Sequence, residues 1–192
     1  VALEGVQLRR VGILRAFLPI PVAGELGGEI DLRLAAKPEA SEGTIDLAIA
    51  GLTAGDGQAK LPIPGMGDGI TLERIDAGEL VLRADVVEGV ADLTTLRADG
   101  EDLELTGDGT VRLLDPLTRS RVDLLLRVRF TDAYRNRNER TRAIFSIVDI
   151  APQARRARAP GGALQFQFSG LLGARLRSTP AGGQPPPETG GG

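Results

Sequence analysis

The chain has 192 residues, of which 42% are hydrophobic, 26% charged and only 3% aromatic. This length suffices for one domain with a buried core, and the composition is that of a folded globular protein. Cysteine and histidine are both absent, which excludes disulfide bonds, Ser-His-Asp and Cys-His catalysis, and the usual ligands of structural zinc. We therefore expect one domain with an aliphatic core that is not an enzyme and that needs no metal or cofactor.

The first 130 residues alternate apolar and polar side chains with a period of two. The clearest runs are 30–34, 45–49 and 103–105, and Val11 and Ile13 fit the same pattern. Such alternation places one face of a strand on a core and the other face in water. Because the 26 glycines supply turns between these runs, the pattern predicts a mainly β fold. We expect a curved antiparallel sheet in the form of a meander, a half-barrel or a groove.

The pattern changes after residue 130. Thr131 offers an N-cap, residues 131–150 lack glycine and proline, and apolar residues recur there at helical spacing. These features predict one helix over about 131–150. From residue 178 onward proline, glycine and polar residues dominate. We therefore predict a single β-rich domain over residues 1–177 and a flexible tail over 178–192.

Two prolines interrupt the strand pattern. Pro62 and Pro64 lie in a glycine-rich segment that ends at Gly69. Proline cannot donate to a central ladder, so the segment is predicted to be a loop or a sheet edge. At an edge, the prolines would protect the sheet against strand addition.

Arginine is concentrated near the predicted helix. Residues 119–158 hold 11 arginines and 4 acidic residues, whereas the whole chain has a net charge of −3. The helix itself carries Arg135, Arg137, Arg140 and Arg142, which we predict to bind an acidic protein partner or a membrane surface. The alternative is a solvated helix face that pairs with the acidic body. One tyrosine and no tryptophan offer a poor platform for base stacking, so we expect no nucleic acid partner.

Two phenylalanines mark the last predicted strand. Phe166 and Phe168 alternate with Gln165 and Gln167, so the phenylalanines are expected on one face and the glutamines on the other. Packing in the core is the default interpretation. The alternative is that the phenylalanines line an apolar groove.

Acidic residues cluster around the glycines near residue 100. Asp99, Asp102 and Asp108 lack the ligand spacing of an EF-hand, so hairpin turns are the favoured interpretation. A hydrolase, which is a third class of function, would need a pair of carboxylates. No feature of the sequence singles out such a pair, and Asp102 and Glu104 are the residues to substitute in a test of it.

The order of these features resembles a known family. It is similar to the C-terminal periplasmic region of the type II secretion system protein N (general secretion pathway protein N), in the form found in myxobacteria, over about residues 2–177. The motifs that carry the resemblance are Pro64-Gly65, Ile70-Thr71-Leu72, Gly78-Glu79-Leu80, Ala98-Asp99-Gly100, Gly107-Asp108-Gly109 and Phe166-Gln167-Phe168-Ser169-Gly170. More distantly, the strand pattern resembles the grooves of AsmA-type envelope proteins.

The resemblance implies a periplasmic domain that is tethered to the inner membrane. Its role would be that of a non-catalytic structural component of the type II secretion machinery, with other secretion components as partners. The AsmA-type likeness implies an alternative, a groove that binds or transfers phospholipid between the membranes. No stretch approaches the roughly 20 apolar residues of a membrane helix, and the chain begins at Val1. We therefore expect the tether and the targeting segment to lie upstream.

Overall fold

A computed structural model describes residues 1–8, 21–33, 35, 37–58, 60–63, 66–71, 73–174 and 176–183. The predicted strand positions Val11 and Ile13 lie outside these residues. The eleven described strands are β1 (Ala2–Gln7), β2 (Val22–Arg33), β3 (Glu42–Ala54), β4 (Lys60–Ile63), β5 (Met66–Thr71), β6 (Ile75–Val87), β7 (Val90–Asp99), β8 (Leu103–Arg112), β9 (Arg121–Phe130), β10 (Leu164–Leu171) and β11 (Arg177–Pro180).

Nine of these strands form one antiparallel sheet in the order β1-β2-β3-β6-β7-β8-β9-β10-β11. In the part of the chain that the structure describes, no pairing joins β1 to β11, so the sheet is open. Strands β4 and β5 form a separate hairpin between β3 and β6 in the chain. The prediction of a mainly β, antiparallel meander is confirmed.

Three short helices connect β9 to β10: α1 (Asp132–Arg135), α2 (Glu139–Ile150) and α3 (Pro152–Ala157). Thr131 is the N-cap of α1, as predicted. The single helix expected over 131–150 is instead divided, because Asn138 starts a new helix. Its side chain accepts a hydrogen bond from the Thr141 amide at 2.9 Å, and the Thr141 hydroxyl accepts one from the Asn138 amide at 3.0 Å. This reciprocal capping box satisfies N–H groups that a helix start would otherwise leave unpaired.

The two faces of the nine-stranded sheet differ sharply in polarity. Residues that pair across antiparallel strands project from the same face, so the register assigns each side chain to a face. We call one the apolar face; it carries Leu26, Ile30, Ile45, Leu47, Ile49, Leu80, Leu82, Leu93, Leu96, Leu105, Leu124, Leu126, Val128, Leu164, Phe166 and Phe168. The opposite, polar face carries rows such as Glu29–Asp46–Arg83.

Helices cover only one end of the apolar face. Tyr134 of α1 and Phe145 of α2 form a buried cluster with Ile75, against which Leu103 and Phe130 pack. The rings of Phe130 and Phe145 meet edge to face with centroids 5.1 Å apart. The side chains in the middle of the face are partly exposed.

Two glycines let neighbouring strands of the sheet approach closely. Gly43 has a φ of 149° and Gly109 a φ of 138°, a region of the backbone map that is open almost only to glycine. A Cβ at Gly43 would collide with the backbone of Asp31 and Leu32 in β2. β-Bulges interrupt the pairing of β2 with β3, of β3 with β6 and of β7 with β8, and bulges bend and twist the strands that carry them.

The turns that join β2 to β3 and β8 to β9 lie at the same end of the sheet and have similar hydrogen bonds. A 3-10 turn precedes Ser41 between β2 and β3, and another precedes Ser120 between β8 and β9. Each serine is buried, and its hydroxyl accepts a hydrogen bond from the amide six residues earlier. Each serine carbonyl also accepts an amide from a later turn, at Gly89 and Leu172 respectively. The sheet therefore contains two similar hairpins.

The C-terminal end of the sheet corrects one prediction. Residues 178–183 were expected in a flexible tail, but β11 pairs with β10 through Phe166↔Pro180 and Phe168↔Ser178, and Ala181 is buried. The tail prediction is therefore wrong for 178–183, while residues 184–192 lie outside those described. Pro62 lies in β4, which among the described strands pairs only with β5 and is therefore an edge strand, in line with the predicted loop or sheet edge. Its expected role as a guard against strand addition stays a prediction. Pro64 lies outside the described residues.

Candidate functional site

The apolar face extends across all the strands from β2 to β10. With strands about 4.8 Å apart, nine strands span about 38 Å. Phe166 and Phe168 lie on this face and are partly exposed, on one side of the strand as predicted. Gln165 lies on the opposite side and is fully buried, where its amide donates to the carbonyl of Ala181 at 3.2 Å. The glutamine is thus more deeply buried than the phenylalanines.

A cavity of about 350 Å³ opens at the end of the apolar face, between the sheet and α2. Its apolar wall includes Val128, Phe130 and Leu164 of the sheet and Phe145 and Val148 of α2. The remaining lining residues are Arg129, Asp132, Arg135, Asp149, Arg158, Gly161 and Gly162. The cavity therefore combines an apolar wall with a charged one.

A carboxylate between two arginines forms the charged wall of this cavity. Arg135 donates to Asp149 at 2.6 Å, and Arg158 donates to the other carboxylate oxygen at 3.1 Å. The guanidinium of Arg135 also lies 4.7 Å from the centre of the Phe145 ring, a favourable distance for a cation–π contact. With Arg129 and Asp132, which also line the cavity, the wall has three positive and two negative charges and a net charge of +1.

Asp102 and Tyr134 hold the helices against the sheet. The buried carboxylate of Asp102 accepts hydrogen bonds from Arg137 and, at 2.7 Å, from the Asp76 amide. The Tyr134 hydroxyl donates to the carbonyl of Glu73 at 2.9 Å. Tyr134 is fully buried, and burial raises its pKa to about 12 because the phenolate would lose its hydration.

Three of the four predicted interaction arginines have partners within the chain. Arg135 pairs with Asp149, Arg137 with Asp102, and Arg140 with Glu73 at 3.4 Å. Arg142 is exposed, and within the described part of the chain its guanidinium has no hydrogen bond or ion pair. Asp102 and Glu73 belong to the acidic body, so the alternative of pairing with it describes Arg137 and Arg140. Asp149 lies within the arginine-rich stretch itself, and binding of an acidic partner stays a prediction.

The carboxylates considered for hydrolysis each have their own arginine. Asp102 is paired with Arg137, whereas Glu104 accepts from Arg129 at 2.9 Å on the polar face. The hydrogen bond from Arg129 to Glu104 raises the pKa of that arginine.

Across the described ranges, no group of three or more acidic residues is placed to hold a metal ion. The described helices are also too short or too polar to cross a bilayer.

The charged wall of the cavity was not predicted from the sequence. Arg158 and Asp149 were counted only among the 11 arginines and 4 acidic residues of 119–158. A usable signal was present, because Asp149 is the only acidic residue between Arg140 and Arg158. A lone carboxylate among arginines is a candidate for ion pairing from more than one side.

In comparisons with known proteins, no family model, no curated protein and no solved structure matched the chain. The likeness to the secretion protein rests on the sequence motifs alone.

Proposed function

We propose that this protein binds phospholipid by holding its acyl chains on the apolar face. The observation that carries the proposal is the continuity of this face: Leu47, Leu82, Leu96 and Leu126 follow one another across β3 to β9, with Gly107 between the last two. Leaving such a surface in water is unfavourable, and contiguous apolar patches of this kind mark binding sites.

The dimensions of the face suit an acyl chain. Half the hydrocarbon thickness of a bilayer is about 15 Å, which is well below the span of about 38 Å expected for nine strands. Each methylene group that leaves water contributes about 0.8 kcal/mol. A face of this length therefore offers enough contact for a whole chain.

The composition of the face favours lipid over a protein partner. The centres of protein interfaces are enriched in tyrosine, tryptophan, methionine and arginine. The apolar face consists of leucine, isoleucine, valine and alanine with phenylalanines at one side. Aliphatic side chains give the non-directional contacts that a flexible hydrocarbon chain requires.

Native mass spectrometry of the purified protein, incubated with phospholipid and transferred under gentle conditions, tests the proposal. We expect adducts of one or more phospholipid masses, and weaker retention when the acyl chains are shortened at constant headgroup. A spectrum that shows only the mass of the free protein would contradict the proposal.

A second candidate is a non-catalytic component of the type II secretion machinery in the periplasm, tethered to the inner membrane. The sequence motifs favour it, as do the edge strands β1 and β11, each of which is paired on one side only within the described residues. An edge strand can accept a strand from a neighbouring component. The test is cross-linking in the native envelope, followed by purification; recovery of no secretion component would contradict this candidate.

A further inference from the structure

We infer that the cavity between the sheet and α2 binds the anionic phosphate of an amphiphile whose acyl chain lies on the apolar face. This inference rests on the proposed function and adds a headgroup site to it. The chemistry recognised is a phosphate monoanion attached to a hydrocarbon chain.

The cavity is continuous with the apolar face. Val128 and Leu164 pair with each other, and both line the cavity. Their neighbours along the strands on the same face are Leu126 and Phe166, which also pair with each other. An acyl chain that lies along Phe166 and extends toward the helices therefore reaches the cavity at the end of the apolar face.

The charged wall provides donors for an anion. A guanidinium carries five N–H donors, and Arg135 and Arg158 each use one nitrogen for Asp149. The remaining donors match the oxygens of a phosphate, which arginine recognises through paired hydrogen bonds. Asp149 holds the two side chains together and leaves a net positive charge for the ligand.

The polarity of the two walls selects an amphiphile over a free anion. Phe145 and Val148 line the cavity on the helix side, opposite Val128 and Leu164 on the sheet side. A free phosphate would leave this apolar lining in contact with water. An amphiphile places its chain on the apolar wall and its phosphate on the arginines.

The experiment compares two ligands with the same acyl chain, lysophosphatidylglycerol and monoacylglycerol, by calorimetric titration of the full chain. We expect the anionic ligand to bind about tenfold more tightly, a difference of one decade in the dissociation constant. Arg158→Gln should abolish most of this preference. Asp149→Asn should increase it, because both arginines then face the ligand without a competing carboxylate.

Arg121→Gln is the matched control, since this exposed arginine begins β9 at the end of the strand opposite the cavity and is not among the lining residues, and it should leave the preference unchanged. The opposite signs expected for Arg158→Gln and Asp149→Asn separate ligand binding from a loss of folding. Equal affinity for both ligands would overturn the headgroup site and leave the proposed function standing. Absence of binding by either ligand would overturn both. Inorganic phosphate that binds as tightly as the lysophospholipid would also overturn the inference, because the chain would then contribute nothing.

Discussion

Arg137 donates to the carboxylate of Asp102, which is only 2% exposed, across the join between the helices and the sheet. The same arginine donates to the carbonyl of Arg74 at 3.0 Å and lies over the Tyr134 ring at 4.9 Å. One side chain therefore neutralises a buried charge and covers a buried ring. This relationship fixes the end of the apolar face at which the cavity opens.

Arg137→Ala should lower the free energy of unfolding by about 2 kcal/mol, because removing one partner of a buried pair leaves an uncompensated charge. This loss of unfolding free energy is smaller than that of a fully buried pair, because 41% of the Arg137 side chain is exposed. Urea denaturation measures the change. Arg142→Ala is the control and should stay within about 0.5 kcal/mol of the parent protein. Equal effects of the two substitutions would contradict the role assigned to Asp102.

The pKa of Tyr134, raised to about 12, predicts a loss of stability at high pH. In the unfolded chain tyrosine ionises near pH 10, so the unfolded state releases its proton first. The stabilisation is complete below pH 10 and is lost as the pH rises from 10 to 12, by about 2 kcal/mol.

Tyr134 is the only tyrosine and tryptophan is absent, so near-ultraviolet absorbance follows its ionisation directly. Tyr134→Phe should remove this part of the pH dependence. It should also cost about 1 kcal/mol at neutral pH through loss of the hydrogen bond to the Glu73 carbonyl. A phenol that titrates near pH 10 in the folded protein would contradict its burial.

Gly43→Ala should destabilise the protein by at least about 2 kcal/mol, because its φ of 149° is strained for alanine and a Cβ would meet the backbone of β2. Gly51 is a matched control in the same strand. Its φ is also positive, at 59°, but a Cβ there would meet nothing within 4 Å. Gly51→Ala should therefore cost only about 1 kcal/mol. Thermal unfolding of both variants measures the difference, and a larger loss for Gly51→Ala would argue against the close strand approach.

The exposed arginines of α2 can be tested without disturbing the fold. Arg140→Gln combined with Arg142→Gln should change the free energy of unfolding by less than about 1 kcal/mol, since 60% of the Arg140 side chain is exposed in its pair with Glu73. If these residues bind an acidic surface, the double variant should bind vesicles of anionic lipid more weakly than the parent protein. The parent's binding should also weaken with salt. Unaltered vesicle binding would leave the two arginines a role in solvation only.

The sheet could be predicted from the sequence because its signal is local. Alternation such as Ile45-Asp46-Leu47 fixes both the strand and its apolar face, and the structure places Ile45 and Leu47 on that face. The same pattern placed Phe166 and Phe168 together. For these residues the local sequence pattern agrees with the position of each side chain in the folded sheet.

The features that were missed depend on partners distant in the chain. Strand β11 has no alternation and contains a proline, and it is a strand because the edge of β10 offers backbone hydrogen bonds to it. The break before α2 arises from the capping box of Asn138 and Thr141. The periodicity of apolar residues cannot show that this capping box competes with a continuous helix. The ion pair of Asp149 with Arg158 requires the fold that brings the loop back to α2.

Two neighbouring residues of β6 test most directly whether the apolar face holds acyl chains. Leu82 lies on the apolar face between Leu47 and Leu96, whereas Val81 lies on the polar face beside Arg97. Both are apolar and partly exposed, so Leu82→Glu and Val81→Glu introduce the same charge at matched positions. The measurement is the dissociation constant for a fluorescent long-chain phospholipid, with circular dichroism to verify folding. We predict a loss of at least about tenfold in affinity for Leu82→Glu and little change for Val81→Glu. Equal affinities for the two folded variants would contradict it.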